Sequence, residues 1–387
     1  MFYSRLFAAL SFLCFGLALA ATLRLAIGQY AEWHEPGLAA KALRTAVALN
    51  PRDSAAWIAL GLAAEQHGDM DQAAACFLQA EKVDRQYLPA WTSANFFFRR
   101  ANDPQFWRAA TRAAAMSYDD PAPLIELADR REPHAIAALI RLGDTPRMER
   151  GYLYFLIAQS RWPEAQLVAA RLSSRRGTGD NEPGDARGNE PGDARGNAHG
   201  DNAPDDARDR ELLLNFTDRL IAAHEGAAAL ALWQELEPAG RATNFNQKFH
   251  TQPSGHGFDW RVTDPPGGWA RWAPSRLEFS LARSTPDACI LLAQWVALER
   301  GRYRLQFAYR TEGLADETGL RWTLLHDARI LASSPLLGPA SNRRGAERTF
   351  QTANSDLYQL DLVYTRVPGT THLEGRAEFA LARLETQ

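Results

Sequence analysis

Cysteine is scarce in this chain of 387 residues, and the scarcity excludes two classes of protein. Only Cys14, Cys76 and Cys289 are present. An odd, widely spaced set cannot form the disulfide framework of a small secreted domain, and it lacks the ligand spacing of a zinc site. Apolar residues make up 46% of the sequence. The chain is therefore expected to fold into two or three ordinary domains, each with its own core.

Strong charge of one sign is also missing. The formal net charge is -3, which is far from the positive field that nucleic-acid binding requires. The sequence contains no Walker loop, no H-E-x-x-H, no G-x-S-x-G and no paired Cys-x-x-Cys. His250 and His256 flank a short loop, but a surface loop histidine is usually unliganded. We expect no catalytic site, no cofactor, no metal site and no nucleic-acid partner.

An uncharged apolar stretch opens the chain. It runs from Leu6 to Leu23, is 18 residues long and has an arginine on each side. This length is at the lower edge of a membrane-spanning helix, while the small residues at 18–20 fit a signal-peptide cleavage site. We favour an uncleaved anchor, because only Gly28 interrupts the sequence that follows. Residues 1–23 are predicted to be a transmembrane anchor or signal peptide of the inner membrane, with the amino end cytoplasmic and the bulk of the chain periplasmic.

Pairs of helical segments recur after this stretch. In one pair, the first helix begins at Trp57 and the second helix follows a turn at Gly68. Trp91 stands about 34 residues after Trp57, which is the period of a known helical repeat. The residues of the pattern are Ala39, Leu43, Ala46, Pro51, Trp57, Leu60, Gly61, Ala73, Phe77, Ala80 and Trp91.

This pattern resembles the tetratricopeptide repeat, whose hairpin reads W-x2-L-G-x2-Y, then A-x3-F, then P. Ala64 stands where that family has Tyr, and Arg85 where it has the closing Pro. Small residues let the two helices of a hairpin approach, and a hairpin cannot bury its apolar face alone, so neighbours must stack. The resemblance, to the membrane-anchored bacterial type, implies an α-solenoid over residues 24–240. Its surface would bind a protein partner through an extended peptide or a helix.

The helical texture continues to residue 240 with one interruption. Residues 173–208 contain the same octapeptide twice, at Asn181–Gly188 and Asn189–Gly196, and have no bulky apolar residue to bury. This composition predicts a disordered insertion, and a tolerated insertion is favoured over a functional tether. Further helices are predicted at 121–131, 133–142, 152–160, 162–172, 209–224 and 226–236.

After residue 240 the periodicity changes to two. Apolar and polar residues alternate in segments such as Leu277–Leu281 and Tyr303–Tyr309, and turns rich in Gly, Pro and Asp separate the segments. This predicts the short strands of an antiparallel β-sandwich over residues 241–387. The sequence Glu299–Arg302 between two strands predicts a hairpin with Gly301 at a positive φ.

The order of these segments resembles galactose-binding-like and carbohydrate-binding jelly rolls. The resemblance covers about 242–385 and rests on Gly257–Arg261, on Gln294–Phe307 and on a late strand at Gly375–Leu384. It implies a jelly-roll sandwich, and it is less specific for a ligand than for a fold.

Glycan recognition needs exposed aromatic rings and hydrogen-bonding groups. Trp269 and Trp272 lie in a Gly/Pro-rich stretch that predicts an exposed loop. Trp295 has the opposite parity from Val296, so it is predicted to point away from the core, whereas Trp260 is predicted to be structural. The same tryptophans would equally serve to cover a contact with the helical part. The predicted glycan-binding residues are Trp269, Trp272, Trp295 and Arg310.

These features predict a multidomain α plus β protein: a transmembrane helix, a tetratricopeptide-like α-solenoid and an antiparallel β-sandwich. The expected role is a non-catalytic, membrane-tethered exported adaptor, whose helical stack docks a protein partner and whose sandwich binds a glycan or a second protein. Proteins of this composition resemble accessory components of bacterial surface-polysaccharide assembly. A pure assembly scaffold is the alternative. A glycan-cleaving enzyme would need two carboxylates facing one cleft, and the sequence reveals no such pair.

Overall fold

The computed structural model describes residues 36–116, 120–176, 205–237, 244–314, 319–366 and 374–387. Eleven helices followed by ten strands are formed by these residues, and they divide between two compact units, Met1–Phe155 and Leu156–Gln387. The predicted anchor at Leu6–Leu23 and residues 177–204 of the predicted insertion lie outside the described residues. Within the ranges described, no helix is long and apolar enough to cross a membrane.

The helices follow the predicted segments except at some ends. Residues 146–151, 173–176 and 205–208 are also helical, although the last two ranges were predicted to belong to the disordered insertion. They are α1 (Pro36–Leu49), α2 (Ser54–Gln66), α3 (Met70–Val83), α4 (Tyr87–Arg99), α5 (Asp103–Met116), α6 (Ala122–Arg131), α7 (Ala135–Leu142), α8 (Pro146–Ala158), α9 (Trp162–Arg176), α10 (Asp205–Ala222) and α11 (Gly226–Leu236).

Two hairpins, α2–α3 and α4–α5, repeat with a constant offset in the chain. The offset from Ser54, where α2 begins, to Tyr87, where α4 begins, is the same as that from Met70, where α3 begins, to Asp103, where α5 begins. The ends of the helices keep this offset as well. The prediction of successive helical hairpins is therefore confirmed, and the predicted period is one residue too long.

The shorter period corrects the equivalence predicted for Trp57 and Trp91. With the observed offset, Trp57 corresponds to the buried Ala90, and Trp91 is the next residue along the helix. The two tryptophans also have different contacts. The Nε1 of Trp57 donates to the Pro51 carbonyl at 2.9 Å, whereas the ring of Trp91 stacks on Tyr87 with 6.1 Å between centroids. The recurrence of tryptophan is thus a property of the sequence and not of the structural repeat.

One turn geometry ends a helix and begins the next at four places. Gly68, Ala101, Ser160 and His224 each have a positive φ, from 52° to 81°. At each turn, the N–H of the following residue donates to the carbonyl five residues back, at 2.9–3.1 Å. This Schellman arrangement satisfies carbonyls that the end of a helix would otherwise leave unpaired. The turn therefore fixes where each hairpin closes.

Close packing inside the first hairpin depends on Gly61. A Cβ at this position would lie 2.7 Å from Cε1 of Phe77, whose ring lies 5.0 Å from that of Phe96 in the next hairpin. Glycine at position 61 lets α2 approach α3. Among the predicted pattern residues, Leu60, Gly61, Ala73, Phe77 and Ala80 are buried, Leu43, Ala46 and Trp57 are half-buried, Pro51 is exposed, and the side chain of Ala39 lies outside the described part.

Two antiparallel sheets form the sandwich, as predicted. Their strand orders are β1-β4-β9-β6-β7 in the first sheet and β2-β3-β10-β5-β8 in the second. The strands are β1 (Arg261–Val262), β2 (Trp269–Ala273), β3 (Arg276–Leu281), β4 (Ala288–Leu298), β5 (Gly301–Glu312), β6 (Leu320–His326), β7 (Arg329–Ser333), β8 (Arg344–Thr352), β9 (Asp356–Thr365) and β10 (Gly375–Thr386).

The hairpin predicted at Glu299–Arg302 is wrong. Strands β4 and β5 belong to different sheets, so the chain crosses from the first sheet to the second at residues 299–300. Gly301 is accordingly absent from the residues with positive φ. The alternating pattern places side chains inward or outward, but it does not state which strands pair.

The last two helices belong to the same compact unit as the sandwich. Helix α11 packs against β4, and its Trp233 lies between the rings of Phe245 and Phe258, at 5.3 Å and 6.2 Å. From α10, Asp218 accepts hydrogen bonds from the Gly257 N–H at 2.8 Å and from Arg261 Nη2 at 2.7 Å. The boundary predicted at residues 240 and 241 lies outside the described residues, and the compact unit begins earlier, at Leu156.

Candidate functional site

The outer face of the second sheet brings together polar and aromatic side chains from four strands. The inward positions of these strands, such as Leu277 and Phe279, are fully buried, so the alternate positions point outward. Two neighbouring rows cross β2, β3, β10 and β5. We call them together the Trp269 face: Trp269, Ser280, Arg376 and Glu312 in one row, and Arg271, Glu278, Glu378 and Arg310 in the other.

The Trp269 face contains a cation–π contact and a shallow recess lined by charged side chains. The guanidinium carbon of Arg376 lies 5.7 Å from the centroid of the Trp269 ring, a distance typical of cation–π contacts. A recess of about 100 Å³ is lined by charged side chains of both rows: Glu278, Glu378, Arg310, Glu312 and Arg376. This volume is below the range of enclosing small-molecule sites, about 300–1,000 Å³. The face is therefore suited to a ligand that lies across the strands, and not to one that is enclosed.

The structure separates Trp269 from Trp272. Both lie in strand β2, not in the predicted loop, and positions three apart in a strand point to opposite faces. Trp269 points outward and is 36% exposed. Trp272 packs against the sandwich core, and its Nε1 donates to the Phe249 carbonyl at 2.9 Å. Trp272 is therefore not part of the Trp269 face.

Trp295 lies on the other sheet. Its neighbour Val296 is fully buried and Trp295 is half-buried, which agrees with the outward parity predicted for Trp295. Across the strands, Trp295 is opposite Gln359. The predicted glycan-binding residues thus do not meet at one place: Trp269 and Arg310 share a face, and Trp272 and Trp295 lie elsewhere.

Asp361 is a buried carboxyl with outward parity in the first sheet. Only 1% of its surface is exposed, and this burial raises the pKa of Asp361 to about 6, although a hydrogen bond from Gln359 Nε2 at 3.0 Å acts in the opposite direction. The residues opposite it on the adjacent strands are Ala293 and Thr323. Its immediate cross-strand neighbours are therefore a methyl group and a hydroxyl, not a second carboxylate.

Sequence reasoning missed a facing pair of carboxylates. Glu278 and Glu378 are directly opposite on β3 and β10, although they are far apart in the chain. Each has an arginine partner: Arg276 Nε donates to Glu278 at 2.7 Å, and Arg343 Nη2 donates to Glu378 at 3.0 Å. The alternation of each strand indicated that both point outward, but nothing in the sequence indicated that β3 and β10 pair.

The remaining candidates have structural partners. Nδ1 of His250 lies 3.1 Å from Ser275 Oγ, and Nδ1 of His256 lies 2.7 Å from a carboxylate oxygen of Asp218. Trp260 is fully buried in the sandwich core, as predicted. Among the described residues, no group of three or more His, Cys, Asp or Glu side chains is placed so that it could hold a metal ion.

Comparison with known proteins gives likenesses of structure only. No family model and no curated protein matches the chain. A structure described as "CBM4 structure and function" is 12% identical, with a TM-score of 0.30, and the match covers 38% of this chain and 100% of that one. TmCBM61 in complex with beta-1,4-galactotriose is 17% identical, with a TM-score of 0.27, covering 38% of this chain and 99% of that one.

A third likeness is to a bacterial protein. PilF of Pseudomonas aeruginosa is 12% identical, with a TM-score of 0.27, and the match covers 58% of this chain and 94% of that one. The structural neighbours of the chain thus include both carbohydrate-binding modules and tetratricopeptide-repeat proteins.

Proposed function

We propose that this protein is a non-catalytic adaptor that is exported and tethered to the inner membrane. Its helical hairpins dock a protein partner, and its sandwich holds a polysaccharide on the Trp269 face. Such an adaptor would serve as an accessory to the assembly of a surface polysaccharide. The membrane anchor is the predicted segment at Leu6–Leu23, with the amino end cytoplasmic and the rest of the chain periplasmic.

The observation that carries the polysaccharide half of the proposal is the composition of the Trp269 face. An exposed tryptophan ring offers an apolar surface to the C–H groups of a sugar, and charged side chains beside it offer hydrogen bonds to hydroxyl groups. Trp269, Glu378 and Arg310 supply these groups from three strands of one rigid sheet. A sugar chain lying across the strands would contact all three.

The ion pairs on this face support a binding role over a hydrolytic one. A glycosidase needs one carboxylic acid that is protonated and one carboxylate that is free to act as a base or nucleophile. Glu278 accepts a hydrogen bond from Arg276, and Glu378 accepts one from Arg343. Each carboxylate is therefore already engaged by an arginine, and neither is free to act as a base or nucleophile.

An array of purified polysaccharides tests the sandwich. The account expects binding that Trp269→Ala weakens by about tenfold, which corresponds to about 1.4 kcal/mol. Stacking of a nucleic-acid base on one aromatic side chain contributes about 1–3 kcal/mol, and we expect a sugar ring to gain a similar amount at its lower end. Trp295→Ala is the matched control, since it removes a half-buried tryptophan from the other sheet and should leave binding unchanged. Binding by no polysaccharide would favour the pure scaffold, and release of reducing ends would favour the enzyme.

Crosslinking in the native membrane, followed by identification of the captured proteins, tests the docking half of the proposal. A discrete partner supports the adaptor, whereas adducts with only abundant bystanders oppose it. The anchor is tested separately. Extraction by detergent but not by alkaline carbonate would support an uncleaved helix, and release by carbonate would oppose one.

A further inference from the structure

A cavity of about 600 Å³ lies between successive helical hairpins of the first unit. Its walls come from the last turns of α3, the link from α3 to α4, and α5. The residues that matter for its chemistry are Glu81 and Lys82 in α3, Arg85 in the link, and Arg108 and Arg112 in α5. The volume is within the range of ligand sites in proteins, about 300–1,000 Å³.

Positive charge dominates the rim of this cavity. Lys82, Arg85 and Arg108 are exposed, and the structure records no carboxylate partner for them among the described residues. The one other acidic lining residue, Asp84, already accepts hydrogen bonds from Ser54 Oγ at 2.8 Å and from the Gln86 N–H at 3.0 Å. The rim is therefore complementary to a ligand with carboxylate or other anionic groups.

Glu81 contributes a buried carboxylate to the lining of the cavity, and one of its oxygens lacks a hydrogen-bond donor among the described residues. The residue is 4% exposed, and its Oε2 accepts a hydrogen bond from Arg112 Nη1 at 2.8 Å. Its Oε1 is buried without a hydrogen-bond donor among the described residues. Buried carboxylate oxygens are nearly always hydrogen-bonded, so this oxygen has the capacity to accept a donor from a ligand once the Glu81 side chain turns toward the cavity.

We propose that this cavity binds an acidic peptide segment of the docked partner. Carboxylate side chains of the peptide would pair with Arg85 and Arg108, and a peptide N–H would donate to Oε1 of Glu81. A peptide supplies both groups along one chain, whereas an inorganic anion has no N–H donor and would be repelled by Glu81. The inference rests on the proposed docking role and names the chemistry of the partner.

Fluorescence anisotropy with the full chain and a labelled short peptide rich in Glu tests the proposal. The double variant Arg85→Glu, Arg108→Glu should weaken binding by about tenfold or more, because reversing charges at an interface replaces attraction with repulsion. The matched control is Arg300→Glu, Arg329→Glu, which makes the same change of charge at exposed positions of the sandwich that do not line the cavity. It should change binding by less than about twofold, because exposed charges away from a binding site are screened by salt.

Glu81→Gln separates a built site from a simple positive patch. If Oε1 of Glu81 accepts a peptide N–H, the variant should weaken binding, although it removes a negative charge from the cavity. Stronger binding by Glu81→Gln would overturn the proposal, because a bare positive patch behaves in that way. The melting temperature of each variant is measured together with its affinity. If Glu81→Gln does not fold, the double variant of the exposed Arg85 and Arg108 still tests the proposal.

Two further outcomes would also overturn the inference. One is the absence of binding by the acidic peptide, and the other is equal competition by free glutamate, which would indicate a small-molecule site. Failure here is distinguishable from failure of the docking role. If crosslinking still captures a discrete partner while the acidic peptide does not bind, the docking role stands and only the acidic chemistry is rejected.

Discussion

The helical hairpins and the sandwich use polar side chains over very different distances in the chain. In the first hairpin, Asp69 accepts a hydrogen bond from the N–H of Gln72, three residues further on, at 3.0 Å. In the sandwich, the buried Asn244 donates to the carbonyl of Ala382 and accepts from the N–H of Leu384, both at 2.9 Å. The first contact orders one turn of helix, whereas the second joins the two ends of a domain. Polar substitutions should therefore cost more in the sandwich than in the hairpins.

The largest effect is expected for Asn244→Ala. It leaves the buried Leu384 N–H and Ala382 carbonyl without a partner, so we expect a loss on the order of 3 kcal/mol in the free energy of unfolding of the sandwich. Asn354→Ala, at an exposed turn, should stay within about 0.5 kcal/mol. Urea unfolding of both variants measures the difference, and equal losses would contradict the stabilisation assigned to the buried contacts of Asn244.

The buried Asp361 should couple the stability of the sandwich to pH. Its pKa is about 6 in the folded protein against 3.8 for an ordinary carboxyl, so the folded state binds the proton more tightly. Stability contributed by this group rises as pH falls through 6 and is lost above it. We expect Asp361→Asn to be more stable than the natural protein at pH 8, by at most about 3 kcal/mol, with the gain fading by about pH 4.

A control of opposite sign lies on the same strand. The hydrogen bond from His326 lowers the pKa of Asp356 from its ordinary value. This group stabilises the fold above its unfolded pKa and ceases to do so as pH falls through the folded pKa. Asp356→Asn should therefore be less stable than the natural protein at pH 7, with the deficit closing in acid. Thermal unfolding across pH checks both, and parallel profiles for the two variants would refute the assignment.

Helix caps in the hairpins should have smaller effects. Asp69→Ala is expected to cost about 1 kcal/mol, the usual contribution of an N-cap side chain. Asn102 holds the equivalent position in the second hairpin, but its hydrogen bond to the Gln105 N–H is longer, at 3.4 Å. Asn102→Ala should cost less than Asp69→Ala. Unfolding followed by circular dichroism at a helix wavelength compares them, and a reversed order would argue against equivalent turns.

The smallest effects are expected at the turn itself, and they should have opposite signs. Gly68 has a φ of 81° and Ala101 has a φ of 52° at the equivalent place. Because a Cβ disfavours this region, Gly68→Ala should destabilise the first hairpin by about 0.5–1 kcal/mol, and Ala101→Gly should stabilise the second by a similar or smaller amount. Melting temperatures of the two variants test this. A shift in the same direction for both would contradict the shared turn geometry.

Features that depend on residues close in the chain are predictable from the sequence, whereas features that depend on distant residues are not. The hairpins were predictable because turn, cap and helix faces are set by residues that are close in the chain, such as Gly68 and Asp69. The error of one residue in the period arose because Trp57 and Trp91 are conspicuous side chains. The backbone repeats where the turns lie, and the interval between equivalent turns is one residue shorter than the interval between the two tryptophans.

The strands of the sandwich were predictable, but their pairing was not. Alternation indicates which face of a sheet a side chain occupies, but it does not distinguish a hairpin from a crossing between sheets. The sequence therefore predicts the wrong connection at Gly301. In β10, a bulge between Phe379 and Leu381 shifts the register, so these two residues do not share a face as simple alternation would have it. The Trp269 face is assembled from residues 269 to 378 and needs the pairing to be known.

The central claim is that the hairpins of the first unit form a surface on which a protein partner docks. Photo-crosslinking residues placed at Gln86 and Met116, two uncharged positions that line the cavity, and at Arg300 of the sandwich as a control, test it most directly in cells. The account predicts one discrete adduct from the two cavity positions, suppressed by the double variant Arg85→Glu, Arg108→Glu, and none from position 300. Equal adducts from all three positions, or none from any, would contradict it.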